Sequence, residues 1–263
     1  MSRRLLRLAL LALCAAAPAT PAPGPVQVIG SQGAGCVAGA IRLADDAPGM
    51  LTIRLAKSSY WGTPATIQAL ETLGRQAQAA GLPELYMGDI SDPRGGPLRG
   101  GHFSHQLGID ADVWFDLQPR RPGQDREAIE PGSLVRPDGR ATDPGVWRPA
   151  HVTLLKLAAG LDGIDRILVN PAIKQALCRE TTGDREWLRL IRPWYGHSSH
   201  MHIRWRCPAD QPACVQAPPP PVGDGCDASL QWWFDQLDAP PQPAAPIRPV
   251  TLPAACRAIM AAP

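Results

Sequence analysis

The chain has 263 residues and a mass of 28.1 kDa, which is enough for one large domain or two small ones. Its 25 glycines and 30 prolines make up about a fifth of the residues, below the share of roughly 25 to 30% that is typical of disordered chains. The 26 basic residues nearly balance the 24 acidic ones. The composition therefore indicates a loop-rich globular protein and gives no sign of a nucleic-acid partner.

Residues 1–19 have the pattern of a secretory signal peptide. Arginines precede an apolar run over 8–17, and small residues lead to a cleavage position before Thr20. The run is shorter than the roughly 20 residues of a membrane span, so we expect export without a membrane span. A twin-arginine signal and a lipoprotein signal at Cys14 fit the segment less well.

The cysteine count agrees with export. Loss of Cys14 with the leader leaves six cysteines, namely Cys36, Cys178, Cys207, Cys214, Cys226 and Cys256. An even number in an oxidising compartment predicts three disulfides. The short spacing of Cys207 and Cys214 favours a local bridge, and the other four cysteines would then join distant segments.

The rest of the chain predicts mixed helices and strands. Thr63 can cap a helix whose apolar residues recur at helical spacing until Gly81 ends it. Residues 87–101, rich in glycine, proline and aspartate, predict an irregular surface loop of the kind that carries function. The later elements are a strand over 109–115, a polar excursion over 118–144, a helix over 151–161, a strand over 167–169, a short helix over 171–178 and a strand over 200–206.

A proline-rich extension begins at about residue 208. Cys226 and Cys256 lie within it, so we expect disulfides to tie it to the body of the protein. We therefore predict a single domain over residues 20–263 that includes the extension. The pair Trp232 and Trp233 is interpreted as a packing anchor of this extension.

Five of the six histidines lie in two short segments: His102 and His105 in the first, and His197, His200 and His202 in the second. His200 and His202 alternate in a predicted strand, so both imidazoles project from one face of it. Asp110 and Asp112 alternate in the same way after the first segment. A pairing of these two strands would bring both segments together.

Imidazoles and a carboxylate are ligands that suit zinc, and catalytic zinc sites use three protein ligands and leave a fourth position for water. The clustering therefore predicts a zinc site. Ordinary hydrogen-bonded histidines and a closed structural zinc site are the alternatives. Asp110 is interpreted either as a partner that orients a ligand or as a solvated strand residue. His151, alone in a predicted helix, is interpreted as structural.

The sequence closely resembles the penicillin-insensitive murein endopeptidases, zinc peptidases of the lysostaphin and D-Ala-D-Ala metallopeptidase group. The resemblance covers nearly all of the chain after the leader. It is carried by the segments WGTP (61–64), GDISDPRGG (88–96), SHQLGIDAD (104–112), VNPAIKQALC (169–178), RPWYGHSSHMHIRWRCPAD (192–210) and GDGC (223–226).

The resemblance implies roles for the histidines. His105, Asp112 and His202 match the zinc ligands, and His102 matches a candidate additional ligand. His200 matches the histidine beside the attacking water, and His197 matches a further site residue. Disulfides Cys36–Cys256, Cys178–Cys226 and Cys207–Cys214 are implied as well. A homodimer and a second metal site stay open, because the spacing of the nearby Asp138 and Asp143 does not fit convincingly.

The implied fold is α+β, with a central antiparallel sheet that carries the zinc site, flanking helices, many loops and disulfides. The implied activity is periplasmic hydrolysis of the D-alanyl to meso-diaminopimelyl cross-links of peptidoglycan by an activated water. Absence of an S-x-x-K motif agrees with a route that needs no acyl-enzyme. A zinc D,D-carboxypeptidase and a non-catalytic zinc- and murein-binding protein are the alternatives.

Stem peptides carry free carboxylates, which arginine side chains recognise well. Three arginines near the histidine segments are therefore candidates for substrate binding: Arg94, Arg99 and Arg204.

Overall fold

The computed structural model describes residues 20–98, 102–239 and 250–263. The predicted signal peptide and Arg99 lie outside the described residues. Within these ranges no helix has the length and apolar character needed to cross a membrane.

The described ranges contain ten strands and five α-helices. The strands are β1 (Gln27–Ser31), β2 (Ala34–Ala38), β3 (Ile41–Arg42), β4 (Met50–Thr52), β5 (Trp61–Gly62), β6 (Leu85–Met87), β7 (Asp110–Trp114), β8 (Ile164–Val169), β9 (Ile191–Pro193) and β10 (His200–Trp205). The helices are α1 (Pro64–Ala79), α2 (Pro149–Ala159), α3 (Pro171–Glu180), α4 (Ala228–Asp235) and α5 (Cys256–Ala261).

Six strands form the central sheet in the order β4-β6-β7-β10-β8-β9. The strands β6, β7, β10 and β8 pair antiparallel in succession. The two outer pairs, β4 with β6 and β8 with β9, are parallel because α1 and α3 connect them as crossovers. The predicted α+β class is confirmed, and the sheet is antiparallel where it carries the histidines and mixed as a whole.

Strand alternation gives the centre of the sheet two different faces. One face joins the main apolar core together with side chains of α1, α2 and α3. It is formed by the fully buried residues Ala111 and Val113 of β7, Ile167 and Val169 of β8, and Met201 and Ile203 of β10. The intervening residues of these strands point to the opposite face, where the histidines lie.

The helix starts follow from local capping. The backbone N–H of Thr66 donates to Oγ1 of Thr63 over 3.2 Å at the start of α1, as predicted. At α2, Nδ1 of His151 accepts from the backbone N–H of Arg148, and its Nε2–H donates to the carbonyl of Phe115. The structural interpretation of His151 is therefore confirmed.

The three disulfides join Cys36 to Cys256, Cys178 to Cys226, and Cys207 to Cys214, the pairs that the resemblance implies. The extension after residue 208 is not extended throughout, because it contains α4 and α5. Asp227 caps α4 by accepting a hydrogen bond from the backbone N–H of Ser229 over 2.9 Å. The many prolines of the extension make this helix start difficult to predict from the sequence.

Arg94 ties the two ends of the described chain together. Its guanidinium donates to the carbonyl of Thr20 over 2.7 Å and to the carbonyls of Met260 and Ala262 over 3.0 and 2.6 Å. The hypothesis that Arg94 binds a substrate carboxylate is therefore wrong, because this side chain is occupied by backbone oxygens.

The disulfides should differ in their contribution to stability. The Cys36–Cys256 bridge spans 220 positions and the Cys207–Cys214 bridge spans 7. Loop-closure entropy then gives losses in the free energy of unfolding of about 5 kcal/mol for C36S/C256S and about 2 kcal/mol for C207S/C214S. Urea denaturation followed by tryptophan fluorescence measures both values. Equal losses for the two double variants would contradict the loop-length argument.

Candidate metal centre

The antiparallel register of β7 and β10 assembles the site. His202 lies opposite Asp112, and Arg204 lies opposite Asp110. Because side chains alternate along both strands, these residues and His200 project from the face that does not join the core. The predicted pairing of the two histidine-bearing segments is confirmed.

Asp112 lies close to two histidine nitrogens on this face. Oδ1 of Asp112 lies 3.3 Å from Nε2 of His105 and 3.1 Å from Nδ1 of His202. Ligand atoms bound at roughly 2.0 to 2.2 Å around a tetrahedral zinc ion are about 3.3 Å apart. All three side chains are buried. The contacts of Asp112 with both rings and the chemistry of the three side chains are therefore compatible with a small divalent cation.

His102 offers an overlapping set of donors. Ligand atoms of His102, His105 and Asp112 all lie within 4.8 Å of one another. Nε2 of His102 also lies 3.4 Å from Oδ2 of Asp89. His105 and Asp112 thus belong to both sets, and either His202 or His102 supplies a further nitrogen.

A hydrogen-bond acceptor behind each of two histidines determines which ring nitrogen faces Asp112. The Nδ1–H of His105 donates to the carbonyl of Ile90, and the Nε2–H of His202 donates to Oδ1 of Asp110, each over 3.0 Å. These partners assign the tautomers. The remaining nitrogens present their lone pairs to the donor set, as metal-binding histidines normally do.

Asp110 is fully buried. Its Oδ1 also accepts a hydrogen bond from Nε of Arg204 over 2.7 Å. Burial alone would raise the pKa of Asp110, but the charge of Arg204 and the hydrogen bond from His202 lower it below its usual range. The interpretation of Asp110 as a solvated residue is therefore wrong, and the interpretation as an orienting partner stands.

The electrostatics favour positive charge between the donors. Burial alone would raise the pKa of Asp112. The neighbouring His105 and His200 outweigh this effect and hold the pKa of Asp112 well below its usual range. Burial opposes protonation of His105, yet Asp112 raises the pKa of His105 to about 9. The carboxylate therefore holds either a proton or a metal ion against the His105 ring.

His200 and His197 lie beside the donors. Nε2 of His200 is 3.7 Å from Oδ2 of Asp112, and the rings of His197 and His200 are 5.1 Å apart. Burial lowers the pKa of His200, and it lowers the pKa of His197 to about 4. Both imidazoles are thus neutral at pH 7 and able to accept a proton.

Backbone strain marks two of these residues. His105 and His197 have φ angles of 65° and 41°, in the left-handed region that residues other than glycine rarely adopt. The Nδ1–H of His197 donates to the carbonyl of Tyr195 over 2.9 Å, which leaves Nε2 of His197 as an acceptor.

The site opens into a cleft of about 730 Å³. Its walls include Phe103, which is 85% exposed, and Trp194, which is 54% exposed. Trp233 lines the cleft and packs against the core, whereas Trp232 is 52% exposed. Only Trp233 therefore fits the predicted packing anchor. A larger cavity of about 1040 Å³ is lined by none of the histidines.

The arginine and aspartate predictions have different outcomes. Arg204 lines the cleft together with Arg166 and Arg192, two residues that sequence reasoning missed. Arg166 lies opposite Arg204 on β8, and Arg192 lies one strand further on β9, but pairing partners are not visible in the sequence. Asp138 pairs with Arg136 over 2.8 Å, and Asp138 and Asp143 are not part of the donor group found in the described chain.

The fold and the site define a class of protein. Buried nitrogen and oxygen donors with fixed tautomers, neutral histidines beside them and an adjoining cleft form the arrangement of a metal-dependent hydrolase.

Comparisons with known proteins specify the family. The family model of the penicillin-insensitive murein endopeptidases matches residues 28–261. A relative of that name from Klebsiella pneumoniae subsp. pneumoniae is 40% identical over 266 aligned positions, which cover 96% of this chain and 95% of the relative. Relatives of the same name from Escherichia coli O1:K1 and Escherichia coli strain SMS-3-5 are 41% identical with the same coverage. The chain belongs to the penicillin-insensitive murein endopeptidases, and the resemblance seen in the sequence is confirmed.

The role of Asp110 can be tested by metal binding. Asp110→Asn removes the charge opposite Arg204 and weakens the acceptor that orients His202. We expect the dissociation constant for Zn²⁺ to rise about 10- to 100-fold. Competition with a chromogenic chelator measures this constant.

Asp224→Asn is the matched control, because it breaks an aspartate–arginine pair of 2.7 Å with Arg185 away from the donors. An unchanged constant for Asp110→Asn would show that Asp110 does not position His202.

Proposed function

We propose that this murein endopeptidase is zinc-dependent and that it hydrolyses the D-alanyl to meso-diaminopimelyl bond between stem peptides. His105, Asp112 and His202 hold the ion through Nε2, Oδ1 and Nδ1, and His102 is an additional ligand. The observation that supports this most directly is that Oδ1 of Asp112 lies 3.3 Å from Nε2 of His105 and 3.1 Å from Nδ1 of His202, two rings whose other nitrogens donate to acceptors behind them.

A bound zinc ion supplies Lewis-acid polarisation of the scissile carbonyl and lowers the pKa of water to about 7. His200 accepts the proton of the attacking water at Nε2 and returns it to the leaving amine. Its lowered pKa keeps the ring neutral at pH 7, so that a lone pair is available to accept a proton. His197 orients the water or a substrate N–H through its free acceptor nitrogen.

This route requires no nucleophile from the protein. The six cysteines of the described chain all lie in disulfides. No S-x-x-K motif occurs in the sequence. A β-lactam acylates a nucleophilic serine, so the proposed chemistry offers it no target.

The periplasm is the proposed location. The leader over residues 1–19 has the pattern of a secretory signal. Three disulfides require an oxidising compartment to persist.

The proposed activity has a direct test. Purified protein without the leader should convert a cross-linked muropeptide dimer into two monomers, and mass spectrometry identifies the bond that is cut. A chelator should abolish cleavage, added Zn²⁺ should restore it, and penicillin should leave it unchanged.

Uncross-linked pentapeptide is the matched substrate. Release of D-alanine from it, with no cleavage of the dimer, would establish a carboxypeptidase instead. Zinc-dependent binding of the dimer without any product would establish a non-catalytic protein.

The separate roles of His200 and His202 predict different losses. His200→Ala should lower kcat by about 10²- to 10⁴-fold, because the general base is removed, while bound zinc stays near one ion per chain. His202→Ala should lose the zinc as well, because a ligand is removed. Metal analysis of both variants beside steady-state kinetics separates the two roles, and loss of zinc from His200→Ala would refute its assignment as a base.

A further inference from the structure

Three arginines form a row beside the metal centre. Arg204 of β10 lies opposite Arg166 of β8. Leu168 of β8 lies opposite both His202 of β10 and Arg192 of β9. All three guanidinium-bearing side chains line the same cleft as His202. The row thus crosses three adjacent strands on the face that carries the donors.

Two of these arginines have partners within the protein. Nε of Arg204 donates to Asp110 over 2.7 Å, and Nε of Arg166 donates to Asp165 over 2.6 Å. Arg166 also donates to the carbonyl of Pro218. Each of these two guanidinium groups is therefore anchored to a buried carboxylate of the protein.

Arg192 differs from both. Among the described residues, no carboxylate forms an ion pair with its guanidinium within 4.0 Å, and no acceptor forms a hydrogen bond with it. The backbone nevertheless makes room for it, since a Cβ atom at Gly225 would lie 2.8 Å from Nη1 of Arg192. A partly buried guanidinium with free donors is thus kept at the cleft.

The surroundings of Arg192 are electropositive. Burial and the neighbouring Arg166 and Arg189 lower the pKa of Arg192, and the charge of Asp227 offsets this effect only in part. Arginine remains charged in proteins, so a bound anion would stabilise this guanidinium further. A carboxylate is the anion that a guanidinium binds best, through two parallel hydrogen bonds.

The position suits recognition at a distance from the scissile bond. Adjacent strands are about 4.8 Å apart, so the backbones of Arg192 and His202, two strands apart, are separated by about 10 Å. A carboxylate bound there belongs to a part of the substrate away from the amide that is cut.

We propose that Arg192, flanked by Arg166, binds a free carboxylate of the peptidoglycan stem peptide and selects for substrates that carry it. This inference rests on the proposed endopeptidase function. It identifies a specificity-determining residue that is distinct from the metal ligands and from His200.

The test pairs protein variants with matched substrates. One synthetic cross-linked dimer has all its carboxylates free. In each of the other dimers, a different single carboxylate is replaced by a carboxamide. For wild-type protein, one amide substitution should lower kcat/KM by about 10- to 100-fold, the range expected for loss of a charged hydrogen bond. Arg192→Gln should show the same loss on the free dimer and no further loss with that amide. Arg179→Gln, on the exposed surface of α3, is the control.

Binding of the intact dimers to zinc-depleted protein, measured by calorimetry, gives a readout independent of catalysis. The same amide should weaken binding to wild-type protein and leave Arg192→Gln unaffected. If Arg192→Gln does not fold, Arg192→Lys replaces it in the comparison with wild-type protein on the amide series. Lysine keeps the charge but cannot form the two parallel hydrogen bonds.

The outcomes are distinguishable. Equal kcat/KM of wild-type protein on every dimer overturns the inference and leaves the endopeptidase function intact. Additive effects of Arg192→Gln and each amide also overturn it. No cleavage of any dimer overturns the proposed function, and the calorimetric comparison then shows on its own whether Arg192 binds a carboxylate.

Discussion

The register between β7 and β10 is the constraint on which the site depends. It places His202 opposite Asp112 and Arg204 opposite Asp110. A slip by one residue would turn every one of these side chains toward the core and the apolar residues toward the cleft. The register is fixed because Ala111, Val113, Met201 and Ile203 are fully buried on the other face. The apolar residues on one face of the sheet thus determine which polar residues lie opposite each other on the other face.

Burial of two carboxylates is the energetic counterpart of this arrangement. Asp110 and Asp112 are buried, and an unpaired buried charge would cost several kcal/mol. Arg204 and the histidines compensate that charge, and Asp110 in turn fixes the tautomer of His202. Stability and function are therefore coupled through one network, which explains why the cleft side of the sheet is so rich in ionisable residues.

The sequence predicts the parts of this protein whose signals are local. Strand alternation around Asp112 and His202, the cap at Thr63 and the clustering of five histidines were enough to predict the core strands, the first helix and the approach of the two histidine segments. The strands β3, β4, β5, β6 and β9 have only two or three residues, too few for a period to show. The approach of the Ile90 carbonyl to His105 and the position of Arg192 in the cleft depend on contacts between distant segments, which no spacing in the sequence reveals.

The bond between Cys36 and Cys256 has a topological consequence. It encloses both histidine segments in one covalent ring, and the long polar connection between β7 and α2 belongs to the same ring. A single cut by a protease in that connection would leave the fragment with Asp112 linked to the fragment with His202. The two fragments of a nicked molecule would therefore stay joined by a covalent bond.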